Sequence, residues 1–250
     1  MINKMISSVG VGATSAGGTG TLYIDKTDDN YGIGEGLTFH ASAEDNIALG
    51  ENALNSTDGA GLRNVGIGTN ALTALGAGDD NIAIGSEAGA LINDAVGNIA
   101  IGSNTLNAAT TSNYTIAIGS EALGTLAGAN AGNIAIGYYA AGALASGSNN
   151  IIVGFQALDA ADAGESGNIA IGYQAMSSVN NADSDHNICI GSEAGLGGTG
   201  AFQKNIAIGY TALYGTGSNA QEGTIAIGYG ALTALTTGAG NLAIGYQALA

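Results

Sequence analysis

Hydrophobic positions recur along this chain in one short pattern. The segment Asn-Ile-Ala-Ile-Gly, followed after two further residues by Ala-Leu, returns twelve times between Asn46 and Leu249, at intervals of 17 to 19 residues. A constant short period over most of a chain predicts an array in which each unit contacts mainly its neighbours. The copies begin at Asn46, Asn64, Asn81, Asn98, Thr115, Asn133, Asn150, Asn168, Asn187, Asn205, Thr224 and Asn241.

The first half of each copy predicts a short β-strand. Its second and fourth residues are Ile in ten copies each, and β-branched residues separated by one are typical of a strand with one buried face. The third residue is Ala in nine copies, and we predict that it points to the outer face. Because a solvated position would accept Thr, Lys, Glu or Ser, this small apolar column predicts a second interface outside the coil.

The second half predicts a corner and another short strand. The fifth residue is Gly in all twelve copies, which indicates a positive φ angle or a close backbone approach. Ala and then Leu follow three and four residues later in most copies, which predicts a second strand with an inward side chain. Each large buried side chain stabilises a coil by roughly 1.5 to 3 kcal/mol. Ordering each residue of the coil costs about 1.5 kcal/mol, and only a few residues of a coil are large and apolar. A single coil is therefore unstable, and stacking is required.

Stacked coils of this length predict an all-β, parallel β-solenoid of about 12 coils. Strands about 4.8 Å apart would make a rod roughly 58 Å long. The first residue of each copy is Asn, or Thr in two copies, which predicts a ladder of side-chain amides at one corner. The alternative interpretation, low-complexity disorder, conflicts with the Ile columns, because disordered chains lack recurrent apolar pairs.

The N-terminal residues differ from the repeat array. Residues 1–45 contain two degenerate copies, Ser8–Gly12 and Asn30–Gly34, and a candidate strand at Thr21–Asp25. We interpret residues 1–45 as a cap or attachment segment and residues 46–250 as the repeat shaft. The opening residues are a poor secretion signal, so we expect a protein that is not exported. The last copy ends next to Ala250, so we also expect a longer polypeptide.

Composition limits the partners. Four Lys and Arg residues against 20 Asp and Glu give a net charge of −16, which would repel phosphate backbones and anionic membrane surfaces. No stretch is long and apolar enough to span a membrane. We therefore expect neither nucleic acid binding nor membrane insertion. The single cysteine, Cys189, falls in the Ala column, where a packed free thiol is the favoured interpretation over a linking or reactive one.

An aromatic stripe is the most conspicuous candidate binding feature. The residue after the corner glycine is Glu, Thr or Ser in the first five copies and aromatic in six of the last seven, with Ser192 interrupting. Rings beside Gln156, Gln174 and Gln247 suit sugar binding, whereas ring stacking between coils is the structural alternative. The predicted ligand-binding stripe comprises Tyr138, Phe155, Tyr173, Tyr210, Tyr229 and Tyr246.

Acidic side chains raise a catalytic alternative. Glu87, Glu121 and Glu193 share one column, and Glu87 lies two coils, roughly 10 Å, from Glu121, near the upper limit for an inverting glycosidase. Solvated acids are the simpler interpretation. A polar loop containing Asp183, Asp185 and His186 is likewise favoured over a cation site, and His40 is isolated. We find no nucleophile triad, phosphate loop or clustered cysteine ligands, and predict no enzyme activity, metal or cofactor.

The repeat resembles two families. Asn81–Gly85, Asn133–Gly137 and Asn205–Gly209 resemble the head repeat of YadA-type trimeric autotransporter adhesins, with one residue fewer before the following Ala. Asn168–Ala175 and Asn241–Leu249 are similar to repeats of bacteriophage tail fibres. The resemblance covers some four fifths of the chain. It implies a left-handed β-roll that assembles as a parallel homotrimer, and it supplies a partner for the Ala column.

The sequence thus predicts a non-enzymatic fibre module in a virion: a rigid homotrimeric rod that presents a surface for a cell-surface glycan or protein receptor and contacts other virion proteins. The alternatives are the head of a secreted bacterial adhesin at the cell surface and a glycan-cleaving tail spike. An ice-binding face is disfavoured because no regular outward Thr array is present. The predicted trimer interface comprises Ala48, Ala83, Ala100, Ala117, Ala135, Ala170, Cys189, Ala207, Ala226 and Ala243.

Overall fold

The chain winds into a parallel β-solenoid of about 11 turns. The computed structural model describes residues 21–25, 30–34, 44–55, 61–129, 131–161, 164–215 and 217–250. Within these ranges the secondary structure is all β, with no helix. The predicted β-solenoid fold is confirmed.

Each copy of the repeat forms one strand of three residues, which pairs in parallel and in register with its counterpart in the next coil. The pairing builds a 14-stranded sheet along one side of the rod, and β12 and β14 form a separate two-stranded sheet. The strands are β1 (Thr21–Asp25), β2 (Asn30–Gly34), β3 (Ile47–Leu49), β4 (Val65–Ile67), β5 (Ile82–Ile84), β6 (Ile99–Ile101), β7 (Ile116–Ile118), β8 (Ile134–Ile136), β9 (Ile151–Val153), β10 (Ile169–Ile171), β11 (Ile188–Ile190), β12 (Phe202–Gln203), β13 (Ile206–Ile208), β14 (Gln221–Glu222), β15 (Ile225–Ile227) and β16 (Leu242–Ile244).

The first end of the sheet departs from the repeat. Strand β2 is the degenerate copy predicted at Asn30–Gly34, and it pairs in parallel with β3. Strand β1, also predicted, runs antiparallel to β2 and covers its outer edge. The other degenerate copy, Ser8–Gly12, and His40 lie outside the described residues.

The predicted asparagine ladder is confirmed. Asn98 shows its pattern: Nδ2 donates to Oδ1 of Asn81 (3.0 Å) and to the carbonyl oxygen of Ser112 (2.8 Å), while its Oδ1 accepts the backbone N–H of Thr115 (3.0 Å). The buried Asn98 amide thus links three consecutive coils. The threonines only receive this support: the hydroxyl of Thr115 donates outside the ladder, to Asn113, and that of Thr224 has no partner among the described residues.

The predicted facing of the strands is wrong. The third residue points into the coil, whereas the second and fourth point outward. The coil is thin, so methyl-sized side chains fill its interior against the opposite wall of the same chain. The predicted interface residues are therefore core residues, exposed by 0% or, for Ala243, 3%: Ala48, Ala83, Ala100, Ala117, Ala135, Ala170, Cys189, Ala207, Ala226 and Ala243.

The predicted second strand is also absent from the described coils. The Ala-Leu segment lies in a tight turn, in which Leu72 and Leu123 have φ angles of 52° and 50°. Both side chains are nonetheless fully buried, so the predicted inward residue is correct although its backbone is not extended. Left-handed residues let consecutive Ala and Leu side chains both enter the core, which a strand, with its alternating faces, does not permit.

The corner glycine is required by the stacking of coils. At Gly119 the φ angle is 129°, and an added Cβ would collide with the carbonyl group of Gly137 in the next coil. The glycines of successive coils lie directly above one another, so their backbones approach too closely for any side chain. This explains why the fifth column is invariant.

Candidate functional site

An exposed apolar face is the main surface feature of the rod. It is formed by the second and fourth residues of each copy, which are Ile, Val or Leu in all twelve. Even within the sheet, where neighbouring strands flank each side chain, Ile84, Ile136 and Ile190 are exposed by 36%, 38% and 37%. We call these two columns the Ile face. The sequence pattern correctly predicted that these two columns are apolar strand positions, but the prediction that they lie in the core is wrong.

The Ile face is long, narrow and uncharged. The twelve strands lie about 4.8 Å apart, and each has three residues that advance about 3.3 Å each. The strip therefore measures roughly 58 Å by 10 Å, or about 600 Å². The largest apolar patch on an ordinary monomer is about 300 to 600 Å² and is often functional. A strip at the upper end of this range, with no charged residue in either column, is a candidate interaction surface.

The predicted aromatic stripe lies beside this face and forms two stacked ladders. The ring centroids of Tyr138 and Phe155 are 5.3 Å apart, and those of Phe155 and Tyr173 are 5.6 Å apart. Beyond Ser192, Tyr229 lies 5.2 Å from both of its neighbours, Tyr210 and Tyr246. The predicted stacking between coils is thus confirmed. The outer parts of the rings stay about half exposed, so the predicted binding role stays a prediction.

The glutamine amides beside the first ladder interact with each other: Nε2 of Gln174 donates to Oε1 of Gln156 at 3.1 Å. This hydrogen bond joins equivalent amides of adjacent coils, as in the asparagine ladder, but on the outside of the rod. Gln247 belongs to the same column and is exposed at the last coil.

The acidic column lies on the turn after the glycine corner. Glu87, Glu121 and Glu193 all have left-handed φ angles, between 56° and 59°. The Glu121 carboxylate lies beside the Tyr139 hydroxyl of the next coil and raises the pKa of that phenol, which favours its protonated form. The group beside Glu121 is therefore a neutral phenol. In the coil between Glu121 and Glu87, the same position is occupied by Asn104.

The polar loop with Asp183, Asp185 and His186 is held by ordinary turn hydrogen bonds. Asp185 Oδ1 accepts the backbone N–H of Ser166 at 2.7 Å, and the backbone N–H of Asp183 donates to Asn181 Oδ1 at 3.0 Å. Among the residues that the structure describes, no group of three or more His, Cys, Asp or Glu side chains is placed to hold a metal ion. The geometry therefore favours the polar-loop interpretation.

Cys189 is a packed free thiol, as predicted. It is fully buried, and this burial raises the pKa of the thiol far above its usual range, which keeps it protonated and unreactive. Its own coil carries Gly195 in place of the inward Leu, and a Cβ at Gly195 would collide with Cys189 Sγ. The larger side chain in one column therefore compensates for the smaller one in the other.

The described cationic side chains are both used in ion pairs. Arg63 donates from Nε to Asp80 Oδ1 (2.6 Å) and from an Nη to Oδ2 (2.9 Å), which raises the pKa of Arg63 and lowers that of Asp80. Lys204 Nζ lies 2.6 Å from a carboxylate oxygen of Glu222. With a net charge of −16, the rod has little to attract an anionic ligand.

Comparisons with family models, curated proteins and solved structures found no match for this chain. The structure contains, within its described residues, no helix long and apolar enough to cross a bilayer. The features of the rod that bear on its function are the Ile face, the aromatic ladders and the surface variation between coils.

Proposed function

We propose that this chain is a structural fibre module whose Ile face packs against the same face of two further copies in a parallel homotrimer. One observation carries the proposal: a continuous apolar strip, bordered by aromatic rings over half of its length, runs along one side of an acidic rod. The resemblance to tail fibre and adhesin repeats supports three copies and a left-handed winding. This assembly replaces the Ala column with the Ile face as its seam.

The size of the strip supports burial against protein. A stable interface buries about 800 Å² per partner, and the strip of about 600 Å² approaches this value before its aromatic border is added. Sheet faces pack about 10 Å apart through interdigitated side chains, which suits two columns of branched residues. Three strips facing a common axis would remove both columns from water.

The border of the strip supports a parallel arrangement. Its aromatic residues begin at Tyr138, whereas the first five copies carry Glu51, Thr69 or serine at the same position. Parallel copies place the aromatic halves together and the polar halves together. Antiparallel copies would set most of the rings against polar side chains.

The proposed role is mechanical and non-enzymatic. A rod of stacked coils holds a recognition surface away from its point of attachment in a bacteriophage tail fibre or similar virion appendage, where it contacts other virion proteins and a receptor on the host cell. The head of a bacterial surface adhesin is the second candidate, and the same repeats support it.

Sedimentation equilibrium tests the assembly. One chain has a mass of 24.2 kDa, so we expect a particle three times as heavy. A double variant, Ile118→Glu with Ile136→Glu, should sediment as a monomer with an unchanged circular dichroism spectrum, because it places charges in the seam. Thr110→Glu, which adds a charge on an exposed loop, is the control and should stay trimeric. A monomeric wild-type chain, or a trimeric double variant, would refute the proposed seam.

A further inference from the structure

One place on the rod breaks the repeat in two adjacent coils. The tenth residue of the copies varies, but it is Gly only in the fifth and sixth copies, at Gly124 and Gly142. These coils are stacked neighbours, and both glycines line one depression on their surface. A repeat that is otherwise regular thus acquires a local surface feature.

The depression is an open cavity of about 370 Å³, within the usual volume range of small-molecule sites. Three consecutive coils line it, each through the same positions of the turn. Its polar walls are formed by Asn104, Asn107, Glu121 and Tyr139, and the two glycines lie between them. Thr125 at its edge donates to the carbonyl oxygen of Gly142 at 2.9 Å.

Tyr139 is the organising side chain of this cavity. Its ring lies against Gly142, where an added Cβ would collide with the ring carbon Cδ1. Its hydroxyl is engaged by Glu121, and its other neighbour is the ring of Tyr138, at 5.0 Å and an angle of 58°. The ring is therefore held in place from three sides before any ligand arrives, which lowers the ordering cost of binding.

The lining chemistry defines the ligand class. Two amides, a carboxylate and a phenol offer hydrogen-bond donors and acceptors, and one aromatic ring offers an apolar surface. No cationic side chain lines the cavity, which disfavours phosphate, sulfate and acidic sugars. A neutral ring that carries hydroxyl groups on its rim and C–H groups on its face matches this combination.

We propose that this cavity binds an uncharged pyranose unit of a glycan, with the sugar's C–H face on Tyr139 and its hydroxyl groups on Glu121 and Asn104. The proposal deepens the fibre role, because it names the chemical class of the receptor. It requires only residues of one chain, and so does not depend on the trimer. Glu121 is the only carboxylate in the lining, whereas glycosidases need two, so the site binds without cleaving.

Saturation-transfer NMR and calorimetry with four free methyl glycosides test the proposal: those of glucose, galactose, mannose and N-acetylglucosamine. At least one should bind, and Tyr139→Ala and Glu121→Gln should each weaken it about tenfold, the effect of losing one such contact. Glu87→Gln changes the same column outside the cavity and should leave the dissociation constant unchanged. Melting temperatures would confirm that each variant is folded.

Two results would overturn the proposal: no glycoside binds, or binding is equally strong in Tyr139→Ala. The double variant Ile118→Glu with Ile136→Glu separates this test from that of the assembly. It should bind the same glycoside as the wild type even as a monomer, so failure of the trimer and failure of the sugar site give different results.

Discussion

At the scale of single residues, the third position of each strand is inside whatever its size. In most coils it is a small residue, such as the completely buried Ala117 and Ala135, but Ile152 is buried equally well, while Ile118 in the fourth position points to the surface. Adjacent residues of the same strand therefore have different roles: one stabilises the fold, and the other lies on the face that we propose as the seam between copies.

Substitutions at Ala117 and Ile118 separate these roles. Ala117→Glu would place an unpaired charge in the core, and we expect it to lower the free energy of unfolding by about 3 to 5 kcal/mol, measured by urea denaturation. Ile118→Glu should change the unfolding of the isolated chain by less than about 1 kcal/mol. Equal destabilisation by the two variants would contradict the observed facing.

The glycine corner gives a second prediction at this scale. Gly119→Ala would collide with the next coil, whereas Gly128, with a φ angle of 77°, has open space around its missing side chain. We expect Gly128→Ala to cost about 1 kcal/mol for its backbone conformation alone and Gly119→Ala to cost more than about 3 kcal/mol. Thermal denaturation of both variants measures the difference, and similar melting temperatures would exclude a stacking clash.

At the scale of the repeat, the period alone established the strand, the coil length and the amide ladder. The facing of the strand was also present in the sequence, because residues one and three of a strand share a side. A buried Asn98 therefore requires a buried Ala100. The β-branched residues favoured the opposite prediction, with Ile inside and Ala outside, because large apolar residues usually mark a core. A rod that assembles through one face, as we propose, would also carry them on its surface.

The amide ladder is the element that ties coils together. Asn150 Nδ2 donates to Asn133 Oδ1 and to the carbonyl of Glu165, and its Oδ1 accepts the N–H of Asn168. Asn150→Leu would remove these hydrogen bonds and leave their buried partners unsatisfied, at a cost of about 1 to 3 kcal/mol each. We therefore expect a large fall in the midpoint of urea denaturation. Asn93→Leu, at an exposed turn position, is the matched control. A tolerated Asn150→Leu would show that the ladder contributes little.

The candidate sugar site was not visible to repeat analysis. The repeat pattern describes the residues that the coils share. The cavity lies where two neighbouring copies both differ from the other copies, at Gly124 and Gly142. Its depth also depends on the position of the Tyr139 ring, which a one-dimensional pattern does not give. Comparing each residue with its counterpart one coil away would have indicated this place.

At the scale of the whole molecule, the array gives the rod a directional surface. Parallel pairing places equivalent residues in a line, so the Ile face runs the whole length of the sheet while its aromatic border begins only at the sixth copy. Parallel association in register keeps both features matched. Continuous strand pairing stiffens each chain, and in the proposed trimer apolar packing between chains would add to that stiffness.

The distance between equivalent residues of different copies tests this arrangement most directly. Thr69 is exposed at the border of the face, and a spin label on Thr69→Cys can be followed by double electron–electron resonance because Cys189 is buried. Parallel copies place the labels at equal height, so we expect a three-spin signal with one distance below about 30 Å, the width of three packed coils. An antiparallel pair would separate the labels by roughly 43 Å, nine coils. That longer distance, or no dipolar signal between chains, would contradict a parallel trimer joined through the Ile face.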